Sequence, residues 1–185
     1  MTKKEIRHKI KYLKSLSYKE VIKEIKTPRD AKFYLEHCLL WRLRKGTVRS
    51  FRFIHKSGRA RCLGYSIAAA ALMSGTYPPL LLHIFFKDEI ETHVCYVYKN
   101  KKTGKWGCLG IPGENSQGAI FKDLFAVCRF IEKNQRRMFP GIKCEGYTLH
   151  DFSGRNIIDS PKKINVSRFN HIPEWNMNGK KTFIN

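Results

Sequence analysis

Apolar residues recur at intervals of three and four along the first 26 positions of the chain. Ile6, Ile10 and Leu13 begin this series, and basic residues fill most of the positions between them. Such spacing predicts amphipathic helical structure with a lysine-rich outer face. We expect a break near Ser17 and treat residues 1–26 as a basic amphipathic N-terminal segment.

A helix-start signature follows this segment. Thr27 can cap a helix, Pro28 suits its first position, and Asp30 lies where the helix dipole favours a carboxylate. This pattern predicts a helix that runs to about Leu43. The next apolar stretch, VRSFRFI over residues 48–54, has the alternation of a short strand.

An almost wholly small and apolar run extends from Leu63 to Met73. A helix of this composition is expected to be buried on nearly all sides. After the SGTYPP break, residues 80–86 are apolar without alternation, which predicts a strand covered on both faces.

The second half of the chain predicts mostly strands. Residues 92–98 and 105–110 flank the turn NKKTGK and indicate a hairpin, whereas IPGENSQG indicates a loop. A helix is expected over residues 121–136, then one strand in GYTLHDF, then a polar, irregular tail. Helices and strands are thus segregated along the chain, which favours an α+β fold with an antiparallel sheet. We expect a main domain over residues 27–158 and a C-terminal extension over residues 159–185.

Composition adds a strong charge to this picture. The 185 residues are 42% hydrophobic, enough for the core of one domain, and the formal net charge is +21. Such a charge favours polyanionic partners, namely nucleic acid, an anionic membrane surface or an acidic substrate. General adaptation to the cytosol of the host explains the charge equally well.

The cysteine pattern and the apolar runs exclude several classes of protein. The six cysteines occur singly, with no CxxC pair and no zinc-finger spacing. His93 and Cys95 fall on one strand face, but no second clustered pair accompanies them, and we expect no metal and no cofactor. The charged N-terminus lacks a secretory h-region, and the longest apolar runs are too short for a membrane span. We therefore expect a cytoplasmic protein with reduced thiols.

Candidate chemistry centres on the stretch GRARCLGYSIAAAALM. Cys62 stands at the predicted helix start, where unpaired N–H groups and the helix dipole favour a thiolate, and Arg59 and Arg61 add positive charge. A thiolate nucleophile also needs a base, most often histidine, and His93 in THVCYVY is the best candidate. The N–H of Cys62 would be a natural oxyanion donor. The alternative is a small packing cysteine and a hydrogen-bonded strand histidine.

Three segments, in order, resemble one known family. They are RSFRFIHKSGRARCLGYSIAAAALM, GTYPPLLLHIFF and THVCYVYKNKKTGKWGCLG, with weaker similarity in FKDLFAVCRF and GYTLHDF. The chain is similar here to the transglutaminase-like superfamily, which has a papain-like cysteine fold, and to its small prokaryotic members. This resemblance implies N-terminal helices and a buried, cysteine-bearing helix packed on an antiparallel sheet. It also implies that Cys62 is the nucleophile and His93 its catalytic partner.

One position departs from the family pattern. The family usually carries an aspartate a few residues after the tryptophan of the third strand, and this acid orients the histidine. Here Gly110 occupies that place in WGCLG. Glu114 or Asn115, in the following loop, are the candidates to replace it; an asparagine has this role in papain-like sites. The chain then has either a Cys-His dyad or a fold that has lost activity.

Two functions remain as expectations from the sequence. The first is a cysteine-dependent acyl transferase or amide hydrolase that acts on a peptide or protein and uses Cys62 and His93. The second is a catalytically inactive transglutaminase-like fold that serves as a basic nucleic-acid-binding or protein-interaction module.

Overall fold

The computed structural model describes residues 1–41, 49–87, 92–110, 116–137, 139–161, 174–176 and 181–182. It is a mixed α+β structure, as the segregated pattern of helices and strands predicts. Its helices are α1 (Lys3–Ser15), α2 (Tyr18–Glu24), α3 (Pro28–Cys38), α4 (Phe51–Ser57), α5 (Cys62–Leu72) and α6 (Leu124–Gln135). Its strands are β1 (Leu40–Trp41), β2 (Arg59–Ala60), β3 (Leu80–Phe86), β4 (Thr92–Lys99), β5 (Trp106–Leu109), β6 (Gln117–Phe121), β7 (Cys144–Asp151), β8 (Glu174–Asn176) and β9 (Lys181–Thr182).

The N-terminal segment forms two helices with the predicted break between them. Capping boxes begin both, with Thr2 at the start of α1 and Ser17 at the start of α2. Leu13, Val21 and Ile25 are buried in the same apolar cluster as side chains of α3 and α5. Hydrophobic burial therefore holds the basic segment against the rest of the fold.

Helix α3 starts as predicted but ends earlier. The Thr27 side chain accepts the N–H of Asp30 at 3.2 Å, and Pro28 is the first helical residue. The helix ends at Cys38 rather than near Leu43, because Leu39 is already extended and the Leu40 N–H donates to the Gly58 carbonyl at 2.8 Å. A two-residue parallel pairing of β1 with β2 results.

The strand expected over residues 48–54 is wrong. Residues from Phe51 form helix α4, in which Phe51 and Ile54, one turn apart, are buried. Gly58, with φ of 62°, ends this helix in the left-handed conformation that glycine adopts at little cost. The helical spacing of two core side chains therefore decides the local structure.

Strands β3 to β9 build one antiparallel sheet in the order β6-β5-β4-β3-β7-β8-β9. Alternation along β4 sends Val94, Tyr96 and Tyr98 to the face that carries α5, and sends Cys95 and Val97 to the face that carries α6. The central strand β3 is thus covered on both faces, as its lack of alternation predicts.

Helix α5 lies inside the molecule, as predicted. Every residue from Gly64 to Met73 is buried. Tyr77, just beyond the helix, packs on Tyr98 near the end of β4, with ring centroids 5.1 Å apart. The helix therefore runs along β4, and its first residues lie towards the beginning of that strand, the end that carries His93.

The region after β5 differs from the prediction in three places. Residues 117–121, assigned to a loop and to a helix start, form strand β6, and α6 begins only at Leu124. Asp123 sets that start, since its carboxylate accepts the Ala126 N–H at 2.7 Å. The tail expected to be irregular contributes the short strands β8 and β9. No helix in the described ranges is long and apolar enough to cross a membrane.

Candidate active site at the start of helix α5

Cys62 is the first residue of α5, as the sequence predicts. Arg61 is the N-cap residue in an extended conformation, and its side chain makes no capping hydrogen bond. Cys62 is half-buried, whereas the other five cysteines are buried. Its accessibility thus distinguishes it from the cysteines that pack in the core, and the structural roles predicted for Cys38, Cys95, Cys108 and Cys128 agree with their burial.

A hydrogen bond fixes the first turn of α5 to strand β4. The Ser66 hydroxyl lies 2.9 Å from the Val94 carbonyl and 2.8 Å from the Cys62 carbonyl, and can donate to either. Because Ser66 follows Cys62 by one helical turn, about 5.4 Å along the axis, this bond holds Cys62 close to the start of β4.

The Val94 carbonyl is available because β5 is short. At the hairpin turn the Asn100 N–H donates to the Lys105 carbonyl at 2.8 Å, so backbone groups of even-numbered β4 residues point towards β5. Strand β5 ends at Leu109, which is paired with Tyr96. Beyond that point no described strand pairs with β4 on this side, and Ser66 bonds to the Val94 carbonyl there.

His93 is the residue before Val94, the acceptor of this bond. It is the second residue of β4, paired with Ile84 of β3, and only 5% of its surface is exposed. Alternation puts His93 on the strand face of Cys95. Burial, with smaller contributions from the thiols of Cys108 and Cys62, raises the pKa of Cys95. Cys62 is therefore within electrostatic range of Cys95, although the body of α5 packs on the other face of the sheet.

Burial controls the protonation of His93. Together with a smaller contribution from the neighbouring His83, it lowers the pKa of the imidazole to about 4. The ring is therefore neutral at pH 7 and has a nitrogen lone pair with which to accept a proton.

Ser116 contacts Gly110, the position at which the family pattern has an acid. The Gly110 N–H donates to the Ser116 hydroxyl at 3.1 Å, and Ser116 is buried. Its carbonyl accepts a hydrogen bond from Lys32 Nζ at 3.2 Å. Glu114 and Asn115, the predicted replacements for the acid, lie outside the described residues.

The two arginines before Cys62 are placed differently. Arg59 is exposed on β2. Arg61 is half-buried, and within the described part of the chain its Nε is buried without a hydrogen-bond partner. The nearer positive charge at the helix start is thus that of Arg61.

Sequence reasoning missed Ser66 and Ser116. Ser66 is the single serine within the apolar run of α5, and a buried serine hydroxyl usually has a hydrogen-bond partner. That signal was available, but its partner lies 28 residues away in sequence. Ser116 belongs to a stretch whose polar composition indicates only a loop.

Comparison with known proteins adds no family assignment. The chain matches no protein-family model, and no curated protein matches it. Among the described residues, no group of three or more His, Cys, Asp or Glu side chains is arranged to hold a metal ion.

Proposed function

We propose that the protein is a cysteine-dependent acyl transferase or amide hydrolase of transglutaminase-like type, with Cys62 as nucleophile and His93 as its proton acceptor. The observation that supports this proposal is the Ser66–Val94 hydrogen bond, which holds the start of α5 against β4, the strand that carries His93. The substrate class is the amide of a peptide or protein.

The reaction uses groups at the helix start. The Cys62 thiol gives its proton to neutral His93, and the sulfur attacks the substrate carbonyl carbon. The oxygen of the tetrahedral intermediate accepts hydrogen bonds from the N–H groups of the first turn of α5. The imidazolium then protonates the leaving amine, and a thioester remains on Cys62. Water or another amine takes the acyl group and restores the thiol.

The environment favours each charge that the reaction creates. The positive end of the α5 dipole and the Arg61 guanidinium favour negative charge on sulfur and on the oxyanion. Burial makes His93 a weak base, and the developing thiolate beside it is the group that stabilises its charged form. The negative charge on the Cys62 sulfur and the positive charge on the His93 ring therefore develop together, as an ion pair within the site.

An activated ester tests the proposal without knowledge of the natural substrate. With p-nitrophenyl acetate we expect a burst of nitrophenolate and an acetyl group on Cys62 that hydroxylamine removes. Cys62→Ser should lose the burst, and His93→Gln should slow it by ~100-fold, the typical effect of a positioned base. Acetylation confined to lysines, with none on Cys62, would contradict the proposal.

The surface of α1 supports a second candidate, the inactive basic module that binds nucleic acid. This helix exposes a series of cationic side chains with one acidic neighbour, Glu5; the series is Lys3, Lys4, Arg7, Lys11 and Lys14. Phosphates paired with such a row release bound counterions, so affinity should fall steeply between about 50 mM and 200 mM salt.

A matched pair of triple variants tests this candidate. Replacement of Lys4, Arg7 and Lys11 by glutamine should weaken binding to RNA or DNA and flatten its salt dependence. Replacement of the exposed Lys101, Lys102 and Lys105 in the β4–β5 turn removes the same charge. Equal losses in both variants would show that net charge, and not the α1 surface, governs binding.

A further inference from the structure

Two cysteines lie on the face of the sheet that carries α6. Cys128 lies on α6 and Cys144 is the first residue of β7. Both belong to the apolar cluster between α6 and the sheet, and their thiols share a hydrogen bond. Cys128 is fully buried, whereas 7% of Cys144 is exposed. Cys144 is thus the slightly exposed residue of the pair.

A buried carboxylate fixes the backbone of Cys144 against α6. Glu132 Oε2 accepts the Cys144 N–H at 3.1 Å. Glu132 follows Cys128 by four residues, so both lie on the same face of α6. Arg129 and Arg136 hold this carboxylate from the solvent side. The two sulfurs are therefore held together by elements that are themselves linked.

We propose that Cys128 and Cys144 form a redox-active dithiol, which a hydroperoxide oxidises to a disulfide between α6 and β7. In the first step the Cys144 sulfur attacks a peroxide oxygen; the O–O bond breaks, a sulfenic acid forms, and water or an alcohol leaves. In the second step the Cys128 sulfur attacks the Cys144 sulfur, its proton leaves with the sulfenic hydroxyl as water, and the S–S bond forms. Two thiols are oxidised and one peroxide is reduced.

The order of the two sulfurs follows from their surroundings. The hydrogen bond from Cys128 lowers the pKa of the Cys144 thiol and outweighs the effect of its burial. Burial raises the pKa of Cys128. Cys144 also has the exposed surface through which a small peroxide can approach. Cys144 therefore attacks and Cys128 resolves, since the thiolate is the nucleophile.

Peptide mapping of the full-length protein tests this assignment. The protein is treated with hydrogen peroxide at pH 7, unfolded, blocked with N-ethylmaleimide and digested with trypsin. We expect peptides 123–129 and 144–155, which contain Cys128 and Cys144, to be joined by a disulfide that dithiothreitol cleaves. Cys38, a buried cysteine whose pKa burial raises to about 11, is the internal control and should react at least ~10-fold more slowly.

Variants separate the two roles and the two sites. In Cys128→Ala, dimedone should trap a sulfenic acid on Cys144, whereas in Cys144→Ala the Cys128 thiol should remain reduced. In Cys62→Ser the disulfide should form at the normal rate, which distinguishes this dithiol from the proposed active site. The proposal is overturned if, in the wild-type protein, both thiols are still blocked by maleimide after Cys62 has been oxidised. Because this outcome is read in the wild type, it does not depend on the folding of any variant.

Discussion

His93 illustrates at the scale of one residue how burial sets chemistry. Its ring is nearly inaccessible, and desolvation lowers its pKa to about 4. In the unfolded chain the same ring has its ordinary value near 6.5. Folding therefore releases a proton from His93 over this pH range, and stability is linked to pH at this residue.

We expect acid to destabilise the fold through His93. Between about pH 6.5 and pH 4 the unfolded state binds a proton that the folded state does not, so the free energy of unfolding falls as pH falls, by at most ~1.4 kcal/mol per pH unit. Urea unfolding at a series of pH values measures this slope. His93→Gln should show a smaller slope, and replacement of the exposed His37 on α3 should leave it unchanged. If the free energy of unfolding changes equally with pH in wild type and His93→Gln, the assigned protonation of His93 is contradicted.

Ser66 acts at the same scale through a single hydrogen bond. Ser66→Ala leaves the Val94 carbonyl without this donor, and we expect a loss of about 1–2 kcal/mol in the free energy of unfolding and slower alkylation of Cys62. Ser74 is the matched control, because it is exposed and its hydroxyl bonds only locally, to the Ala71 carbonyl at 2.8 Å. If both variants alkylate at the wild-type rate, Ser66 does not position Cys62.

At the scale of elements, the sequence predicts best where burial is uniform. Helix α5 and strands β3, β4 and β7 follow directly from apolar runs and alternation, because each is enclosed by its neighbours. Helix α4 was misjudged as a strand, since Phe51, Phe53 and Ile54 fit both periods and only the packing of Phe51 and Ile54 decides between them. Strand β6 was missed because its residues alternate only between half-buried and exposed and because Gly118 lies within it.

The candidate site was predictable only in part, because tertiary packing and not local sequence decides how its residues are arranged. Cys62 could be placed at a helix start from local sequence, and His93 on a strand. The position of Cys62 relative to β4 depends on how far β5 extends and on the Ser66–Val94 bond. Both are tertiary facts that join residues far apart in the chain.

Glu132 links two elements and gives a prediction at this scale. It joins α6 to the start of β7 and is buried, whereas its two arginine partners are exposed. Glu132→Ala leaves the buried Cys144 N–H without its acceptor, so we expect a loss of about 1–3 kcal/mol in the free energy of unfolding. Glu145→Ala, on the exposed neighbour in β7, should change it by under ~0.5 kcal/mol. Urea denaturation measures both, and similar small effects would contradict the role of Glu132.

At the scale of the whole molecule, the net charge of +21 opposes compact folding. Added salt screens repulsion between exposed charges farther apart than the Debye length, about 10 Å at 0.1 M. We expect the melting temperature to rise by about 2–5 °C when sodium chloride is increased from low ionic strength. The α1 and β4–β5 turn triple variants should both show a smaller rise, since each lowers the charge. A melting temperature independent of salt in all three proteins would contradict this account.

The same whole-molecule arrangement separates the two cysteine sites. The sheet has α5 on one face, with Cys62 at the half-buried start of that helix, and α6 with the Cys128–Cys144 pair on the other. A nucleophile can thus be half-exposed at a helix start while the remaining cysteines stay inside. Accessibility alone would make Cys62 the fastest cysteine to react, so its activation must be measured against its own unfolded state.

The alkylation rate of Cys62 in the folded protein, compared with the same residue in the urea-unfolded chain, tests the central claim most directly. Iodoacetamide at pH 6 with mass mapping gives both rates, and at this pH an ordinary thiol is under ~1% thiolate. The account predicts at least ~10-fold faster alkylation in the folded state, because the helix start stabilises the thiolate. It also predicts that His93→Gln reduces this ratio. Equal or slower alkylation of Cys62 in the folded protein would contradict an activated nucleophile.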